Sequence, residues 1–465
     1  RVDALRARPG HDVAAEPLLL GLPFSVKDHM DLQGFDSTAG AAVKTFAPAA
    51  KDSALVALLK RAGAIPFAKT NVPQSLMINE SVNGVYGRAL NPWNLARTVG
   101  GSSGGEGGLI GADASPCGIG SDIGGSIRGP AIYCGVCGLK PSPGRLTKVG
   151  CSGARWQGRD GQEAIKSVVG PMGRTVEDLA LMMRAWLVQA QRDEFDFDVE
   201  THPKFDELEY GSTRKLRIGF VDHDEFFPAC ASSRRAVKEA VEALRARGHV
   251  LVPLRTANST GADQPYGTSL SPETDPLLHP EDAALPGIGD IFGLYARLIG
   301  ADGQMRTMRK GIQGEALMPE YEFQYRMSSL IPDWLRPGLA WALRGLMGER
   351  YTRLGVLTPR SHTTGYQLWE SVADRVAYRK RFDAVWRAHK LDALVSIGMP
   401  YPAHKHSMFS KVIAGNSWMM WANCLEYVSG AVPVSVVTEA EANDPDGYDA
   451  GPHKGDPWDK ATRAN

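Results

Sequence analysis

Residues 115–134 read SPCGIGSDIGGSIRGPAIYC, and the run divides at its glycines into two pieces. The first, SPCGIGSD, is read as a strand; the second, IGGSIRGPAIYC, as a glycine turn that opens a helix. If Ser126 begins that helix, the peptide N–H groups of Ile123, Gly124, Gly125 and Ser126 converge at its positive end, and the glycines let a substrate carbonyl come close. A second serine run among glycines, VGGSSGGEGGLIG at 99–111, lies upstream.

Outward from this unit the same strand and helix grammar repeats. LLLGLPFSVKD (18–28) is an apolar, β-leaning run that delivers Lys27 and Asp28 at its end. DSALVALLKRAG (52–63) has helical spacing, a cap at Asp52 or Ser53 and a stop at Gly63, and AIPFAKT returns as a strand. LRIGFV (216–221), SSRRAVKEAVEALRARG (232–248) and HVLVPL (249–254) form another strand, helix and strand, and YRKRFDAVWRAHKLDALVSI (378–397) adds a further helix and strand. GPMGRTVEDLALMMRAWL (170–187) sets Thr175 as a helix cap three residues ahead of Asp178. Strands alternating with helices predict an α/β fold with a mainly parallel sheet covered by helices on both faces.

With 465 residues, 43% of them hydrophobic and 22% charged, the chain is long enough for a large core, in one domain or two. Lys plus Arg and Asp plus Glu are both 52, which argues against a nucleic-acid binder that relies on bulk positive charge. The scattered cysteines Cys117, Cys134, Cys137, Cys151, Cys230 and Cys424 suggest thiols in a reducing, intracellular compartment. Cys134 and Cys137 lack the second pair or nearby histidine that a zinc set needs, so they read as packing residues, and no metal or other cofactor is expected. No run of about eighteen apolar residues occurs, and no signal peptide is visible. The sequence opens at Arg1 without a methionine.

Cleaving a carbonyl compound takes a nucleophile, a proton acceptor and donors for the developing oxyanion. Ser126 is one nucleophile. Ser103 is another, because Gly101 to Gly105 matches G-x-S-x-G, although that elbow needs a histidine base. Among eleven histidines, His404 and His406 in YPAHKHS leave a histidine triad open. Lys27 is the alternative base, since burial and dipolar surroundings can keep a lysine neutral.

Four blocks, GLPFSVKD, GGSSGGEGGLIG, SDIGGSIRGPAIYCGVCGLKPSPGR and GPMGRTVEDLA, together resemble the amidase signature family of serine hydrolases. They span Gly21 to Ala180 in the family's order, with its spacing of lysine and two serines. The resemblance implies a single domain over 1–465, a large mixed, mainly parallel twisted sheet, and a Ser-cisSer-Lys triad: Ser126 the nucleophile, Ser102 the bridging serine after a cis Gly101–Ser102 peptide, Lys27 the base. It also implies that Ile123, Gly124, Gly125 and Ser126 form the oxyanion hole, with Ser103, Ser121, Asp122 and Arg128 in support. Within the family FAKTNVPQSLM, NPWN, Glu106, CGVCGLKP, CLEYVSGAVPVSVVT and GDPWDK look like the fatty acid amide hydrolase subgroup. That likeness implies long-chain N-acyl amides as substrates and puts Leu76 and Met77 at the mouth of an acyl channel. The resemblance implies a helical segment before the Lys27 strand and further chain after DPWDK, and both are expected to be short or missing in this sequence. Gly129 stands where the animal fatty amide enzymes usually have phenylalanine, which predicts a wider pocket.

Between 256 and 360 the pattern loosens into Pro- and Gly-rich loops and helices, a helical insertion. Within it, SSLIPDWLRPGLAWALRGLMGERY (328–351) sets Trp334, Leu335 and Trp341 beside Arg336, Arg344 and Arg350, and Pro332 and Pro337 predict two short helices. This hairpin suits a membrane interface, a dimer partner or its own core, and it falls where the resembled subgroup carries a membrane-docking cap. The expectation is a hydrolase of fatty acid amides, cytoplasmic or peripheral on an internal membrane. The competing readings are a soluble amidase for small, aryl or carbamate-type amides and an amidotransferase subunit, the latter opposed by the neutral charge and Glu106.

Overall fold

The computed structural model describes residues 16–151, 162–187, 204–257, 284–302, 306–321, 331–347, 364–442 and 454–464. Its main strands are β1 (Pro23–Lys27), β2 (Ile65–Thr70), β3 (Cys117–Asp122), β4 (Cys137–Lys140), β5 (Val168–Gly173), β6 (Arg217–Val221), β7 (Val250–Pro253), β8 (Ala393–Ser396) and β9 (Ser429–Ala431). Six form one sheet in the order β9, β4, β5, β3, β1, β2. β1 runs parallel to β2 and β3, while β5 is antiparallel to β3 and β4, and β9 to β4. The sheet is therefore mixed, with β1 to β4 all pointing one way.

Alternation along β3 decides what covers each face. Cys117 and Ile119 join one buried cluster with Leu55, Val56, Leu58 and Leu59 of α1 (Ala54–Arg61) and Met182, Met183 and Trp186 of α4 (Val176–Trp186). On the other face lie α2 (Gly104–Gly111) and α3 (Arg128–Cys134). There a Cβ at Gly118 would collide with the carboxylate of Glu106, so only glycine lets α2 sit this close. The Thr175 and Asp178 capping box that starts α4 forms as the sequence predicts, with Asp178 N–H donating to Thr175 Oγ1 at 3.1 Å.

The later strand and helix repeat does not extend this sheet. β6 pairs in parallel with both β7 and β8 as a separate three-stranded sheet. Its apolar side, with Val221, Leu391 and Ile397, packs into a cluster with α5 (Ala231–Ala246), α6 (Ile288–Ile299), α8 (Gly365–Ala388) and α9 (Ser417–Cys424). Every residue of α9 is buried, and its Met419 and Asn423 reach the Ser126 loop.

In the segment read as a loose insertion, α6 is a core helix. Of the hairpin, residues 328–330 and 348–351 lie outside the described residues. The rest is a 3-10 turn at Asp333–Leu335 running into α7 (Arg336–Met347). The two short helices predicted from the prolines are, among the described residues, a one-turn 3-10 helix followed by α7, and Pro337 sits in the first turn of α7, where no intrahelical N–H is required. Among the described residues no helix is long and apolar enough to cross a membrane.

Candidate active site

β1 ends at the site. Phe24 and Val26 point into the core while Ser25 and Lys27 share the opposite face, so the strand buries a lysine completely. A buried ammonium or amine needs partners, and Lys27 Nζ donates to Ser102 Oγ at 2.8 Å, to Ser121 Oγ at 2.9 Å and to the Ser121 carbonyl at 3.3 Å. Lysine and serine meet across two strands and a loop.

The two glycine loops are tied to each other. Ser103 N–H donates to the Ser126 carbonyl at 3.1 Å, and the Ser103 hydroxyl exchanges hydrogen bonds with the Ser121 backbone at 3.3 Å. Ser103 is fully buried, while Ser126 is partly exposed. The Gly101–Ser102 peptide is cis, as the resemblance implied. Gly101 N–H is held by Asn79 Oδ1 at 2.6 Å.

Beneath Ser126 lies a buried ion pair. Arg128 donates to both oxygens of Asp122 at 3.0 Å, to the Met419 carbonyl at 2.9 Å and to Asn423 Oδ1 at 2.7 Å. Burial alone would raise the Asp122 carboxyl, but the Arg128 charge and its hydrogen bonds, with Lys140 and Asn423 adding to them, hold it well below the usual carboxylate range. Asp122 also accepts the N–H groups of Gly125 at 2.8 Å and Ile127 at 3.1 Å, which fixes the turn. The Gly125 N–H thus faces inward, which takes it out of the expected set of four oxyanion donors. Gly125 has φ +110 and a Cβ there would strike Met419; one at Gly124 would strike the hydroxyl of Tyr295.

Leu76 and Met77 are not beside these serines in any described contact. Leu76 is buried in a cluster with Ile78, Met308, Ile312, Tyr321 and Phe409, and Met77 packs at its edge. An open cleft of about 500 Å³ borders that cluster at Ile312 and Leu317 and is also lined by Arg306, Arg309, Lys310 and Glu315. At Gly129, where the sequence predicts a wider pocket, a Cβ would lie 3.1 Å from Asn79 Oδ1 and 3.4 Å from Met419 Cε. His404 is buried and packs against Tyr133, Tyr401 and Phe409, and burial pushes its pKa down to about 4, so it is a neutral packing residue.

The sequence reading missed Asn79, Met419 and Asn423, which come from remote segments with no local signal. It also missed Ser25 and Thr70, which hold Glu106. The signal for Ser25 was present: a polar residue two before Lys27 in an apolar strand shares its face. Among the described residues no group of three His, Cys, Asp or Glu side chains could hold a metal ion.

A family model described as Amidase matches residues 3–301. The chain is 36% identical over 455 residues to fatty-acid amide hydrolase 1 of Sus scrofa, covering 96% of this chain and 70% of that protein. It is 31% identical over 432 residues to fatty acid amide hydrolase 1 of Caenorhabditis elegans, covering 92% and 68%. A solved fatty acid amide hydrolase shares the fold with TM-score 0.68 at 22% identity, over 89% of this chain and 61% of that one.

Proposed function

The chain belongs to the amidase family, an amide-hydrolysing enzyme by descent, and from that premise we propose that it cleaves fatty acid amides through an acyl-enzyme on Ser126. The observation that carries the reading is Lys27, fully buried with its Nζ 2.8 Å from Ser102 Oγ. Neutral Lys27 takes a proton from Ser102, Ser102 takes one from Ser126, and Ser126 Oγ attacks the amide carbonyl. The N–H groups of Ile123, Gly124 and Ser126 receive the developing oxyanion. The relay run backwards protonates the departing amine as the C–N bond breaks. Water, deprotonated through the same relay, then adds to the acyl carbon and releases the fatty acid. Ser121 and Ser103 hold the lysine and the loop, and the Asp122 and Arg128 pair holds the turn.

The substrate class rests on the two relatives named as fatty acid amide hydrolases. Peripheral contact with a lipid surface through the Asp333–Leu335 turn and α7 is supported by Trp334 and Trp341, 80% and 82% exposed. Arg336, read in the sequence as an interfacial cation, is buried and takes no part in that contact. A second reading is a small or aryl amide substrate.

A fluorophosphonate probe should label the protein, and Ser126→Ala should abolish labelling; a label that survives there and is lost in Ser103→Ala would move the nucleophile. Mass spectrometry of the acyl-enzyme trapped from a mixed amide pool separates the substrate readings, because the retained mass is the acyl group. A short or aryl acyl group would overturn the fatty amide assignment.

A further inference from the structure

Glu106 lies inside the protein with no exposure, in α2, against the sheet face that carries Lys27. Two strands hold its carboxyl: Ser25 Oγ donates to Oε2 at 2.5 Å and Thr70 Oγ1 donates to Oε1 at 2.7 Å. Both donors are set by the register around Lys27. Ser25 precedes it by two on the same face, and Thr70 is its direct partner across the β1 and β2 pair. Gly118, beside Ser25 in the β1 and β3 pair, leaves the room this carboxyl fills.

We propose that Glu106 is a positioning residue that acts through Lys27, its carboxyl setting how readily that lysine gives up its proton to become the base of the serine relay. This rests on the reading of Lys27 as the base. The groups that face Glu106 are Lys27 and Ser25 on β1, Thr70 on β2, Cys117 on β3 and, through Ser25, Ser115. Of these only Lys27 carries positive charge, so the carboxylate and the ammonium stabilise each other, and whichever loses its charge releases the other. Burial pushes the Glu106 carboxyl up to about 7, against the pull of Ser25, Thr70 and Lys27.

The experiment is the pH profile of kcat/KM for amide hydrolysis by the full chain and by Glu106→Gln, which keeps the shape and one acceptor oxygen but holds no charge. If Lys27 is the base, activity should rise with pH as it becomes neutral. Without the carboxylate the lysine loses its proton more easily, so the acid limb should move to lower pH by about one unit. Thr70→Val, which removes one donor and so favours the neutral carboxyl, should move the limb the same way by less, and it serves alone if Glu106→Gln does not fold. A limb that stays in place while activity falls equally at every pH would show a purely structural role and overturn the inference. Lys27→Ala keeps the two failures apart: retained turnover there would sink the lysine base itself, whereas lost turnover with an unmoved limb in the Glu106 and Thr70 variants sinks only the proposal for Glu106.

Discussion

Arg128→Met tests how the Ser126 turn is held. The arginine and Asp122 side chains are 4% and 0% exposed. The substitution keeps the apolar stem but strips the carboxylate of its cation, leaving the N–H groups of Gly125 and Ile127 and the Asn423 amide. Removing one partner of a buried pair costs about 3–5 kcal/mol. Lys140 still acts on Asp122, which argues for the lower end, about 3 kcal/mol. At about 2 °C per kcal/mol for a large chain, the melting temperature should fall by about 6 °C at pH 7.5. The sign of the pH dependence is the sharper check. In the parent protein the Asp122 pKa is depressed, so its contribution is fully present above the unfolded value of about 3.9 and is lost only as pH falls through the folded value. In the variant burial acts without its main opponent and the folded pKa rises above the unfolded one, so the penalty applies at neutral pH and is relieved on acidification. Melting curves of both proteins at pH 7.5 and pH 5 should therefore show the gap narrowing at pH 5. A gap of the same size at both pH values would refute the reasoning.

Lys27→Ala should lower amide turnover by about 100- to 10,000-fold at neutral pH, the usual weight of a positioned base, measured by amine release; near-normal turnover would remove lysine from the mechanism. Gly125→Ala places a Cβ at φ +110 against Met419, and the displaced turn should cost about 100-fold in kcat, with circular dichroism checking that the fold is kept. Trp334→Ala combined with Trp341→Ala should abolish co-sedimentation with liposomes while leaving hydrolysis of a short soluble amide unchanged. Binding that persists in the double variant would take the 333–347 segment out of the lipid contact.

Much of the fold was legible because its signals are local. The strand ending in Lys27, the α1 periodicity and the Thr175 capping box each depend on residues within a turn or two of one another, and each formed as read. The separation of β6, β7 and β8 into a second sheet was not legible, since period and propensity mark a strand without naming its partner. The same limit applies at Gly129. A glycine in a sequence looks like room, but whether the room stays empty depends on Asn79 and Met419, which arrive from segments far along the chain.

The sequence by itself determined the class of the fold, the two glycine loops and the lysine at a strand end, because backbone freedom and apolar spacing are written residue by residue. Only the tertiary structure decided that Lys27 Nζ meets Ser102 and Ser121, that Asp122 takes the Gly125 N–H as well as Arg128, and that Glu106 lies between Ser25 and Thr70. The physical reason is that buried polar groups must find partners, and strand register and loop closure across long separations choose which partners are within reach.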